Sequence, residues 1–271
     1  MKIGVTQIVL GGMSLADTLS LCRQAGYNAV ELVFAEGKDL DIGLGKDEIR
    51  AVGDQCAEAG VEIGSVVAHY AARGNLLSRN AAEREQCCLC LRRALEIAGI
   101  LGAGAVLLHP GALPAEGTYE EAWNDLRDAL VGMAETAESH GAVIALENVW
   151  NKFILSPREA RQLIDEIGSP WVAIYLDTAN MMEYGHPEQW IRSLGSRIKR
   201  VHLKDYVRGE HRFVNLLDGD TDWPLVMREL RRANYDSTLI HEVGGDHRTL
   251  VEMGERMRRI LALPDGEAAA P

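Results

Sequence analysis

Short apolar runs recur along the chain, each followed by a polar loop and then by a stretch with apolar positions at helical spacing. The strand candidates are 3–9 (IGVTQIV), 28–33 (NAVELV), 61–68 (VEIGSVVA), 104–109 (GAVLLH), 142–147 (AVIALE), 171–177 (WVAIYLD), 198–204 (IKRVHLK) and 237–243 (STLIHEV). Helices are predicted between them over 14–26, 46–59, 80–101, 118–140, 157–167, 187–195, 222–233 and 246–261. Ser14, Ser156 followed by Pro157, and Asp222 are suited to open helices. The tripeptides AGY, AGV, LGA and HGA each place a glycine where a left-handed C-cap would close one.

Eight strands alternating with eight helices call for a parallel sheet. Units of about 33 residues suit a closed α/β (β/α)8 barrel, the TIM barrel, better than an open doubly wound sheet. No glycine-rich phosphate loop follows the first strand. A single barrel domain is expected over 1–262, with 263–271 as a flexible C-terminal tail.

In such a barrel the reactive groups sit at the C-terminal ends of the strands. Reading those ends yields His69, His109, Glu147, Asp177, His202 and Glu242. Glu147, Asp177, His202 and Glu242 lie 30, 25 and 40 residues apart, near one βα unit each, so they belong to strands five to eight. Taken singly they are ordinary: His202 reads as a packed core histidine, Asp177 as a helix cap, and either glutamate as the partner of Lys204 or an arginine. Together, three carboxylates and an imidazole at one mouth repel and desolvate badly unless a cation sits among them. Oxygen-rich ligation with one imidazole suits a divalent ion, Mn²⁺ first, with Mg²⁺, Co²⁺, Fe²⁺ or Zn²⁺ as other candidates. Such an ion with open positions is a Lewis acid for a carbonyl or hydroxyl substrate. His109 and His69 are expected to bind substrate or to orient the ligands.

Composition narrows the partners. A formal net charge of −12 lacks the positive footprint that nucleic acid requires, and leaves room for a small neutral or anionic substrate. No apolar stretch approaches the ~18 residues of a membrane span, and MKIGVTQIVLGG carries no cleavage signature, so a cytoplasmic protein is expected. Of the cysteines Cys22, Cys56, Cys87, Cys88 and Cys90, three crowd into one amphipathic helix without a second ligand pair, so they read as small buried apolar residues with reduced thiols.

The strand-end residues, with the stretches SPWVAIYLDTANMMEYG, RIKRVHLKDY, LLDGDTDWPLVMREL and IHEV, resemble the xylose isomerase-like TIM-barrel superfamily of sugar isomerases and epimerases. Within it the likeness is to ketose 3-epimerases of the tagatose/psicose type and to L-ribulose-5-phosphate 3-epimerases, over almost the whole chain. The resemblance implies that Glu147, Asp177, His202 and Glu242 bind one catalytic divalent metal and that Glu147 and Glu242 are the acid/base pair on opposite faces of the sugar. It implies inversion at C3 of a ketose or ketose phosphate through a metal-stabilised cis-enediolate, and a homodimer or homotetramer. Arg208, six residues past the histidine, matches an arginine that holds the ketose oxygens. Lys204, Asn180 and Trp150 are placed with it around the sugar, and Trp123, Trp223 and Phe34 are further wall candidates. Two positions depart from the sugar 3-epimerase pattern. Asn180 stands where several members carry a histidine, and LLDGDTDW adds Asp218 and Asp220 near the mouth, which disfavours a phosphate unless Arg208, Arg212 or Arg73 offsets them.

The same apparatus would serve an aldose–ketose isomerase, an inosose dehydratase or a lyase of oxidised glycosides. A DNA-repair enzyme of the endonuclease IV type shares the barrel, but needs further zinc ligands where this chain has Asn180 and RGEHRF, with Glu210 and His211 out of pattern. A barrel kept only for binding a partner chain is opposed by the four intact strand ends.

Overall fold

A computed structural model describes residues 1–68 and 74–264; His69, Arg73 and the last part of the expected tail lie outside the described residues. Among those residues, eight parallel strands close a barrel: β1 Lys2–Thr6, β2 Ala29–Phe34, β3 Glu62–Ala68, β4 Ala105–Leu108, β5 Val143–Glu147, β6 Val172–Asp177, β7 Ile198–Leu203 and, after a two-stranded hairpin, β10 Thr238–His241. The hairpin, β8 Asp205–Val207 with β9 Arg212–Val214, stands outside the barrel and has no counterpart in the sequence-based expectation. The helices are α1 Leu15–Ala25, α2 Lys46–Glu58, α3 Ala81–Leu101, α4 Tyr119–His140, α5 Pro157–Ile167, α6 Pro187–Leu194, α7 Trp223–Arg232 and α8 His247–Leu261. The closed (β/α)8 barrel expected from the alternation is therefore the fold.

The strands read as near-continuous apolar runs because both of their faces are covered, by the barrel interior and by the helices. AVLL of β4 and VAIYLD of β6 are buried throughout. Helix ends follow the capping chemistry: Ser14, Ser156 and Asp222 accept the amides of Asp17, Glu159 and Leu225. Gly26 closes α1 in the left-handed conformation. At α2 the cap is Ala59, and the left-handed residue is Gly60 one position later.

The first strand is shorter than the apolar run 3–9 predicted. It stops at Thr6, whose hydroxyl accepts the Ile8 amide and turns the chain into a 3₁₀ helix over Gln7–Leu10. The five cysteines are buried as free thiols. Met181, Met182 and Trp190 are buried packing residues.

Candidate active site

Pairing register sets the site. Asp177, the last residue of β6, lies opposite His202 on β7, and His202 lies opposite Ile240 on β10. Glu147 ends β5, and Glu242 follows β10, its amide bonded to the Leu203 carbonyl at 3.2 Å. Ligand atoms of Glu147, Asp177, His202 and Glu242 all lie within 4.8 Å of one another.

The cluster is largely buried and highly charged. Glu147 Oε1 is 3.0 Å from His202 Nδ1, and its Oε2 meets His109 Nε2. Burial alone would raise the Glu147 carboxyl; hydrogen bonds from His109 and His202 hold it well below the usual carboxylate range. Asp177 Oδ1 accepts the amides of Ala179 and Asn180 at 2.8 and 2.6 Å. Its Oδ2 is buried with no hydrogen-bond partner, and the Lys204 ammonium is 3.7 Å away. Burial pushes Asp177 up to about 6; Lys204 opposes that rise and Glu147 and Glu242 add to it. Burial by itself would lower His202, but Glu31, Glu147 and Glu242 raise it well above the usual imidazole range. Lys204 Nζ is 3.3 Å from Glu242 Oε2. Burial lowers its pKa, and the charges of Asp177, Glu242 and Glu147 raise it by more.

An oxygen-rich set with one imidazole, converging on a buried carboxylate oxygen that nothing bonds, is a donor set a divalent cation fits. The outer wall comes from the hairpin. Phe213 stacks on Trp150 at 5.1 Å between centroids, and Lys204 Nζ lies 4.3 Å over the Phe213 ring. A cavity of about 280 Å³ opens there, lined by Lys204, Phe213, Glu242 and Val243 among others.

The other expected site residues fall as follows. Trp150 is at this mouth, half exposed, with its indole N–H on the Asn180 carbonyl. Asn180 is buried; its amide donates to the Asn148 carbonyl at 2.9 Å, and its Oδ1 is 3.4 Å from Lys204 Nζ. Arg208 turns onto the loop after β6, bonding the carbonyls of Met182 and Gly185. Trp123 is no wall residue: it belongs to a cleft between α4 and α5, its indole on Glu166. Phe34 is fully buried in the core, and Trp223 is buried with its N–H on Asp205 Oδ2 at 3.0 Å. Asp218 and Asp220 do not load the mouth with free charge, because Asp218 pairs with Arg256 at 2.6 Å and Asp220 accepts the Arg208 amide at 2.8 Å. His211 pairs with Glu183 at 3.0 Å, away from the cluster.

Besides Phe213, two residues were missed by sequence reasoning. Asp205 accepts the Leu217, Gly219 and Thr221 amides, the Thr221 hydroxyl and the Trp223 indole, and so folds LLDGDTDW back against the hairpin. Glu31, in the middle of β2, is fully buried with Oε1 3.0 Å from His202 Nε2. A carboxylate inside the otherwise apolar AVELVF was the available signal.

The fold is a closed parallel barrel that gathers this charged cluster at the C-terminal ends of its strands. The chain belongs to the xylose isomerase-like TIM-barrel family, whose model matches residues 19–263. It is 30% identical over 214 residues to the 2-epi-5-epi-valiolone 7-phosphate 2-epimerase of Actinoplanes sp., covering 75% of this chain and 72% of the relative. It is 28% identical over 259 residues to the L-ribulose 3-epimerase of Mesorhizobium japonicum, covering 89% and 80%. The crystal structure of a D-tagatose 3-epimerase-like protein superposes with a TM-score of 0.82 at 25% identity, covering 96% of this chain and 97% of that one. Its relatives include sugar epimerases, which supports an enzyme. No helix among the described residues is long and apolar enough to cross a membrane.

Proposed function

We propose that the protein is a divalent-metal-dependent epimerase of a ketose or ketose phosphate that inverts C3 by removing a proton from one face and returning it to the other. The observation that carries this reading is the pair of glutamates, Glu147 at the end of β5 and Glu242 after β10, converging with His202 on Asp177 Oδ2, which no hydrogen bond satisfies. Glu147, Asp177, His202 and Glu242 would hold the cation, Mn²⁺ by preference. Its Lewis acidity would supply what a carboxylate lacks, since a proton beside a ketone is too weakly acidic for an unaided glutamate.

The chain's own groups do the rest. Glu242, on the cavity side, and Glu147, the more deeply buried, would flank the sugar, one taking the C3 proton and the other delivering one to the enediolate. His109 holds Glu147 Oε2 and so sets the direction of its free lone pairs. Lys204, which lies beside Asp177 and Glu242, would offer its ammonium to a substrate oxygen. Trp150 and Phe213 present an aromatic face to the apolar side of the sugar and help exclude water. Arg208 and Asn180 act from behind, holding the loop after β6 and the Lys204 head group.

The test is conversion of a panel of free and phosphorylated ketoses by EDTA-stripped protein with and without Mn²⁺. A C3 epimer that forms only with the ion is expected. Conversion indifferent to EDTA, or an aldose product, would contradict the reading.

A further inference from the structure

We infer that Glu31 is the positioning residue of this centre: it fixes the ring orientation and tautomer of His202, so that Nδ1 is the nitrogen presented to a cation at the strand ends. The inference rests on the metal reading above and extends it to a residue on the opposite side of the imidazole.

The geometry is specific. The β2–β3 register shifts between Val30 and Glu31, which brings Glu31 opposite Ser65. Its Oε2 accepts the Ser65 hydroxyl at 2.6 Å, and Ser65 Oγ is 3.3 Å from the Tyr175 hydroxyl. The other oxygen, Oε1, meets His202 Nε2 at 3.0 Å. The Tyr175 ring packs against the imidazole, centroids 4.4 Å apart, so the ring plane is held as well as its edge. On its far edge, Nδ1 faces Glu147 Oε1 at 3.0 Å and Glu242 Oε2 at 3.5 Å.

An imidazole can offer a lone pair to a cation only at a nitrogen without a proton, so the remaining proton must sit on the other nitrogen. An ionised carboxylate has only acceptors and requires that proton on the nitrogen facing it. Glu31 therefore keeps the proton on Nε2 and leaves Nδ1 as the donor atom. A neutral or apolar residue at position 31 would not enforce that choice, nor raise the basicity of the ring toward the ion.

The experiment uses the full chain, stripped with EDTA. Mn²⁺ affinity is measured calorimetrically for the wild type, Glu31→Gln and Ser65→Ala, with circular dichroism to confirm the fold. Zn²⁺-loaded, ¹⁵N-histidine-labelled wild type is examined by NMR. Glu31→Gln should weaken Mn²⁺ binding on the order of 10- to 100-fold, and Ser65→Ala, which removes one hydrogen bond behind Glu31, by about threefold. The wild-type spectrum should show His202 ligated through Nδ1 with a strongly downfield Nε2–H. Ligation through Nε2 would overturn the inference without any variant, as would undiminished Mn²⁺ affinity in a folded Glu31→Gln. A wild type that binds no Mn²⁺ would instead remove the metal reading itself.

Discussion

The Tyr27 hydroxyl lies 2.8 Å from His241 Nε2, one residue before Glu242, and donates its own proton to the Leu250 carbonyl at 2.5 Å. His241 Nε2–H must therefore be the donor, and its Nδ1 accepts the Val243 amide at 3.3 Å. Burial, with the charge of His202 adding to it, lowers His241 to about 3, so the ring stays neutral. The three bonds tie His241 and Val243, on either side of Glu242, through Tyr27 to Leu250 of α8. Tyr27→Phe would leave the buried His241 Nε2–H unpaired, at a cost of about 2 kcal/mol, seen as a melting temperature lower by ~5 °C. A melting temperature unchanged within about 1 °C would show that the strut carries no stability.

Lys204 sits where it neutralises Asp177 Oδ2 and Glu242 Oε2, and a cation bound by those oxygens would compete with it. Lys204→Met should tighten Mn²⁺ binding on the order of tenfold while lowering kcat. Weaker Mn²⁺ binding in the variant would show instead that Lys204 supports the ligands.

The Trp150–Phe213 stack borders the cavity without touching the carboxylate cluster through any hydrogen bond. Replacing Phe213 with alanine should raise KM up to about tenfold and leave Mn²⁺ affinity unchanged, as steady-state kinetics and calorimetry would read. A large fall in kcat at constant KM would place the ring in the chemistry rather than in the wall.

Burial raises the Cys22 thiol to about 12 and Cys56 to about 11. A raised pKa keeps a thiol protonated, so at pH 8 the Cys22 thiolate fraction is about one in ten thousand. Native protein should be nearly inert to a thiol-specific disulfide reagent at that pH, and all five cysteines should react in denaturant. Rapid labelling of native protein would reveal local opening at α1, α2 or α3.

Much of this molecule was legible because its signals are local. Apolar runs punctuated by caps such as Ser156-Pro157 and glycines such as Gly26 marked the βα units; Glu147 and Asp177 stand out as carboxylates ending apolar strands, and His202 lies one residue short of the end of β7. What escaped depends on contacts distant in sequence. Asp205 bonds groups 12 to 18 residues away, whose geometry no spacing reveals. Phe213 reaches Trp150 only because RGEHRF turns into a hairpin of three-residue strands, too short to show a period. Glu31 was hidden by the strand that surrounds it, and its partner lies 171 residues on. The end of β1 escaped because the apolar run continues through Ile8 and Val9, while the Thr6 cap acts through a single hydroxyl.

The central claim is that Glu147 and Glu242 exchange the proton at C3 of a ketose. It is tested most directly by NMR in D₂O, following a converted ketose with Mn²⁺-loaded wild type, Glu147→Gln and Glu242→Gln. Deuterium should enter at C3 alone in both epimers with wild type, and interconversion should fall by about a thousandfold or more in each variant. Deuterium at C1, or epimerisation that survives the loss of either carboxylate, would contradict it.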